Sequence, residues 1–118
     1  MIITLSGTVT HKAENSGIVE VHGVGYQVFM NKPSLGAIKV GADVRLWTHE
    51  HIREDARDLY GFLAAAEHRM FLRLVAISGV GPKMAMNILS LGPVKDIETM
   101  IERADVDWLT RVPGVGKK

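Results

Sequence analysis

The sequence predicts a small closed or partly closed antiparallel β-barrel followed by a helical domain. Three observations carry that expectation. Up to Phe62 the chain is a series of β-branched and aromatic segments, often alternating with polar residues and separated by Gly, Asn or Pro clusters. Beyond Phe62 apolar residues recur every three or four positions, the period of an amphipathic helix. Two glycine turns, at Gly79 and Gly114, punctuate this second half. The boundary is therefore expected near residue 63, with a barrel over 1–63 and a helical domain over 64–118.

Four strands are expected at Ile2–Thr10, Gly17–His22, Val24–Met30 and Val44–Glu50, separated by turn clusters such as Glu14-Asn15-Ser16-Gly17 and Asn31-Lys32-Pro33-Ser34. In the fourth, Val44, Leu46 and Thr48 form a less charged face than Arg45, Trp47 and His49, as in a half-buried strand. A fifth, Arg57–Phe62, follows the polar loop Arg53-Glu54-Asp55-Ala56. So few short strands can hide their edges only by closing on themselves. In the helical half, Ala66, Met70, Leu74 and Ile77 mark one helix face. Pro82 opens a second helix, with Met84, Ile88 and Leu91 as its stripe and Gly92 as its stop. Pro93 starts a third, striped by Ile97, Met100, Ile101 and Ala104, and a short fourth is expected around Asp105–Arg111. The methionines at helical spacing read as core.

Composition narrows the function classes. The 118 residues carry 14 Lys and Arg against 13 Asp and Glu, so a nucleic-acid partner would have to be held by locally placed cations rather than by an overall basic field. With no Cys there is no disulfide framework, zinc ribbon, iron–sulfur cluster or thiol nucleophile, and a cytoplasmic location is the default expectation. The apolar runs fall far short of a membrane span.

The strongest internal signal is a repeat. Gly79-Val80-Gly81-Pro82-Lys83 returns as Gly114-Val115-Gly116-Lys117-Lys118, and upstream Leu74 and Ile77 correspond to Leu109 and Val112. Each copy is thus a helix entering a Gly-x-Gly turn with lysine just beyond it. Glycine permits a positive φ and leaves the backbone amides uncovered, while the next helix's N-terminus adds unpaired N–H groups and a positive dipole end. Such a turn can hold a phosphate oxygen, or it can merely join two packed helices. Lysine in a first helical turn opposes the dipole, so Lys83, Lys117 and Lys118 are locally misplaced unless an anion compensates them. Met84 stands where a dinucleotide fingerprint needs its third Gly, and no Walker-type phosphate loop occurs, so a nucleic-acid backbone is the expected anion.

Other candidates carry less. Glu54 and Asp55 read as a solvated hairpin tip, and no further acidic cluster accompanies them for nuclease chemistry. His49 and His51 share a strand face, but no third metal ligand is evident. No hydrolase constellation is recognisable, and a glycosylase would need a catalytic Lys or Asp beyond the hairpin and a base pocket. A protein-binding module stays open.

Together, Met1-Ile2 with Leu5 and Gly7, Gly23-Val24-Gly25-Tyr26, Thr48-His49, Arg53-Glu54-Asp55-Ala56, Leu59-Tyr60-Gly61-Phe62 and the two glycine hairpins resemble the RuvA family of bacterial Holliday-junction-binding proteins over essentially the whole chain. The resemblance implies an OB-fold barrel of five or six strands and a tandem helix-hairpin-helix domain. It implies a four-fold symmetric tetramer, one or two per four-way junction, acting in recombination and DNA repair without a cofactor. Gly79, Val80, Gly81 and Lys83, with Gly114, Val115, Gly116, Lys117 and Lys118, would grip duplex arms through minor-groove backbone contacts. Glu54 and Asp55 would form an acidic pin at the crossover, repelling phosphates and keeping strands apart. The chain would be a non-catalytic subunit: the RuvB motor supplies ATP hydrolysis, and the RuvC resolvase is a further implied partner. Ile3 stands where the family usually has Gly. The family continues past Lys118 with the second motif's closing helix, a linker and a motor-contacting domain, so truncation within the second motif and absence of that domain are expected. The alternative is a generic helix-hairpin-helix module of another repair protein that binds duplex or single-stranded DNA.

Overall fold

The structure, a computed structural model, describes residues 1–102. Along the chain come β1 (Thr4–Lys12), β2 (Ser16–Val21), β3 (Val24–Phe29), α1 (Lys32–Ala37), β4 (Asp43–Ile52), β5 (Arg57–Phe62), α2 (Ala65–Val75), α3 (Pro82–Leu89) and α4 (Val94–Glu102). Two compact units result, Met1–His68 and a second that begins at Arg69.

The first unit is a closed five-stranded barrel with neighbours in the order β1-β2-β3-β5-β4. The expectation of an antiparallel barrel needs one correction: β3 and β5 run parallel, paired through Phe29 and Tyr60. The reason is parity. Strand direction must alternate around an antiparallel ring, which five strands cannot do, so four antiparallel pairs force the fifth seam to be parallel. Side-chain alternation then points Leu5, Val9, Val19, Val28, Leu46 and Leu59 into the core, with Met30, Leu35 and Ile38 packed among them. In β4 the less charged face is the inner one, with Leu46 and Thr48 fully buried. The buried Thr48 hydroxyl donates to the Ile2 carbonyl at 2.7 Å.

A second correction is α1, expected to be only a turn. Asn31 caps it, its Oδ1 accepting from the Ser34 amide at 2.9 Å, and Pro33 sits in its first turn. The strand ends also move: β1 starts later than expected and continues to Lys12, because Lys12 still pairs with Gly17.

In the helical part, the buried face of α2 is Met70, Phe71 and Leu74. The expected outer members of that stripe fall away, since Ala66 is exposed and Ile77 lies past the helix end, its amide donating to the Leu74 carbonyl at 3.0 Å. On α3 the buried residues are Ala85, Met86, Ile88 and Leu89, with Leu91 beyond the helix and half exposed. On α4 Ile97 is buried. Ala104 and the expected fourth helix lie outside the described residues. No described helix is long and apolar enough to cross a membrane.

Candidate nucleic-acid interface

Gly79, Val80, Gly81 and Lys83 come together in the connection from α2 to α3. After Ile77 the chain folds back, the Val80 amide donating to the Ile77 carbonyl at 3.0 Å. Gly79 makes the reversal with φ 87°, in the left-handed region that favours glycine. Gly81 does something else. Its φ of −92° and ψ of 177° are open to any residue, and it stands as N-cap of α3, its carbonyl accepting from the Ala85 amide at 2.9 Å. No side chain caps this helix, and Pro82 supplies no amide. The amides of Gly81, Lys83 and Met84 therefore have no intrahelical acceptor. A Cβ added at Gly81 would meet nothing within 4 Å, so glycine is not required there by packing among the described residues. Lys83 is exposed within the first turn of α3, where its charge opposes the helix dipole. The result is a rim of open amides beside a lysine, shaped to accept an anionic oxygen. Gly114, Val115, Gly116, Lys117 and Lys118 lie outside the described residues.

Glu54 and Asp55 are exposed at the tip of the β4–β5 hairpin, which the Arg53 amide closes by donating to the Ala56 carbonyl at 2.7 Å. Two ion pairs that sequence spacing did not reveal lie along its stem. Arg53 Nη2 lies 3.0 Å from Asp58 Oδ2, and Arg57 Nε lies 3.6 Å from Glu50 Oε2. The strand register could have found them: His51 faces Asp58 and Ile52 faces Arg57, so each pair is a diagonal contact one step away.

Farther down this hairpin, Trp47, His49 and His51 alternate onto one face of β4, opposite Phe62, Tyr60 and Asp58. The His68 ring stacks on Trp47 at a centroid distance of 6.0 Å and tilts against Phe62 at 5.8 Å. Burial holds the His49 imidazole below its ordinary 6.5, and nearby His51 and His68 push it in the same direction. Burial, with Asp58 adding, raises the Tyr60 phenol, against an opposing pull from Arg53. No cluster of three or more metal-capable side chains exists among the described residues.

Comparison with known proteins agrees with this architecture. The family model described as the RuvA N terminal domain matches residues 1–61, and that described as a SAM-like helix-hairpin-helix tandem matches residues 71–118. Among curated relatives, the protein named Holliday junction branch migration complex subunit RuvA from Acidobacterium capsulatum is 46% identical over 120 residues, covering 100% of this chain and 60% of the relative. Its namesakes from Syntrophotalea carbinolica and Bdellovibrio bacteriovorus are 42% and 41% identical, covering 100% of this chain and 60% and 61% of theirs. The chain thus spans about three fifths of the length of these relatives. A five-stranded barrel matched by the N-terminal model over more than half of the 118 residues, with a helix-hairpin-helix match behind it, makes the chain a member of the RuvA family.

Proposed function

We propose that this chain binds four-way junction DNA by backbone geometry rather than base sequence, as the platform on which the RuvB motor drives branch migration in recombination and repair. The observation that carries the reading is the α2–α3 turn: uncapped amides at the start of α3, space where a Gly81 side chain would stand, and Lys83 beside them. The uncapped amides and the lysine are poorly suited to an isolated helix, and all three features are well suited to a phosphate. Contacts of this kind bind without reading bases. The relatives' shared name supports the junction as substrate and a larger complex as setting. In this reading Gly114 to Lys118 form a second hairpin, and Glu54 and Asp55 meet the crossover. Four copies assemble around it, a role for which the exposed apolar side chains Met1, Ile3 and Ile52 are available.

The test is a salt titration of Lys83→Ala against four-way junction, linear duplex and single strand. The parent should prefer the junction. The variant should bind it more weakly whatever the arm sequence, and the slope of log affinity against log salt should shrink by about 0.9 per lost phosphate contact. An unchanged slope with unchanged affinity removes Lys83 from the interface.

A further inference from the structure

The hairpin from Glu50 to Asp58 carries four acids and two arginines. A random arrangement would let Arg53 or Arg57 fold onto the adjacent Glu54 and Asp55 and cancel the charge at the tip. Instead Arg53 is drawn to Asp58 at 3.0 Å and Arg57 to Glu50 at 3.6 Å, both behind the tip. Strand alternation places Arg53 and Asp58 on one face and Arg57 and Glu50 on the other, so each face has its own diagonal pair. The acceptors are the better buried partners, Asp58 at 21% and Glu50 at 12% side-chain exposure against 51% for Arg53 and 73% for Arg57. Glu50 is further fixed, since its Oε1 accepts from the Ile2 amide at 3.4 Å.

We infer that Asp58 and Glu50 are positioning residues for the acidic tip: by occupying Arg53 and Arg57 they leave Glu54 and Asp55 un-neutralised, and so set the junction selectivity of the hairpin. This rests on the reading of Glu54 and Asp55 as phosphate-repelling groups. With both arginines half or more exposed, the pairs contribute little to stability, so these two acids act mainly by deciding where the arginine charge goes.

The experiment measures selectivity as the ratio of duplex to junction dissociation constants for the parent, Asp58→Asn, Asp58→Glu, Glu54→Gln with Asp55→Asn, and the triple variant. Asp58→Asn frees Arg53 to turn to the tip and should lower the ratio about two- to five-fold, the scale of one exposed ion pair. Asp58→Glu should restore it. In the background lacking tip charge, Asp58→Asn should change nothing further, because the groups act as one unit. An equal drop in both backgrounds would mean that Asp58→Asn only adds net positive charge, and overturns the inference. So would failure of Asp58→Glu to restore selectivity.

A second readout needs no DNA. The guanidinium nitrogen resonances of Arg53 should move on Asp58→Asn, by a different amount when the tip acids are amides. Equal movement in both backgrounds overturns the inference even if selectivity falls. If Arg53 responds as expected but neutralising the tip leaves selectivity at the parent value, the phosphate-repelling reading has failed instead, and the inferred effect on selectivity falls with it.

Discussion

Two glycines of one turn should fail in opposite ways when given the same methyl group. Gly79 has φ 87°, where an L residue costs about 1–2 kcal/mol. Gly79→Ala should therefore lower thermal stability by several degrees. Gly81 lies in extended backbone, and a Cβ there points into open space. Alanine restricts the unfolded chain, worth about 0.4–1 kcal/mol in favour of folding, and caps a helix less well than glycine by a comparable amount. The two terms nearly cancel, so Gly81→Ala should melt like the parent. Its effect should appear on DNA, because the new methyl occupies the approach to the amides of Gly81, Lys83 and Met84. Losing one hydrogen bond to a charged oxygen costs about 1.5–3 kcal/mol, tenfold or more per engaged hairpin. The assay pairs circular-dichroism melting with fluorescence anisotropy on a labelled four-way junction. Junction binding by Gly81→Ala at parental strength across a salt titration would refute the amide-rim reasoning. A stability loss matching that of Gly79→Ala would refute the conformational half.

Replacing Glu54 with Gln and Asp55 with Asn should raise duplex affinity more than junction affinity, with the difference shrinking at higher salt because exposed charges are screened over about 8–10 Å. A duplex-to-junction ratio equal to that of the parent at two salt concentrations would return these acids to an ordinary solvated turn. His49 predicts a pH effect on folding: with its folded pKa held below the ordinary 6.5, the unfolded chain binds the proton first. Stability should be complete above about pH 6.5 and decline as pH falls through the folded value, and urea midpoints at pH 7.5 and 5.5 should differ less for His49→Gln than for the parent.

The sequence made some elements legible to the residue and hid others for identifiable reasons. The sequence shows Arg57–Phe62 with the ends it has, because the Arg53-Glu54-Asp55-Ala56 loop marks its start. The helix at Lys32–Ala37 is not legible in the sequence because capping and turning use the same chemistry: Asn31 and Pro33 serve equally in either, and six residues are too few to display a helical period. The parallel β3–β5 seam follows from closure and an odd strand count, a global property that no local pattern carries. Ala66 and Ile77 fit the α2 stripe by spacing, but Ala66 is exposed in the first turn and the helix ends at Val75, before Ile77. At the glycine turn, residue types pointed to the site, yet their division of labour needed backbone angles: Gly79 bends the chain and Gly81 keeps it bare.

The two parts of the proposed interface share a physical logic that bears on how selectivity is achieved. The α3 start leaves amides uncapped and puts a lysine against the helix dipole, and the β4–β5 hairpin pairs its two arginines with Asp58 and Glu50 rather than with its tip acids. Each departs from local self-consistency, as functional sites do, but with opposite electrostatic sense. An uncapped positive terminus draws phosphate and gives affinity to any duplex. Un-neutralised carboxylates repel phosphate, and that repulsion discriminates between DNA geometries only if the attraction is modest enough for it to matter. The 118 residues carry a formal net charge of only +1, which in the proposed reading would add little non-specific attraction. A strongly basic surface would bind all DNA too tightly for a few acids to decide between shapes, so under the proposed function the near balance of charge in these 118 residues would favour selectivity over affinity.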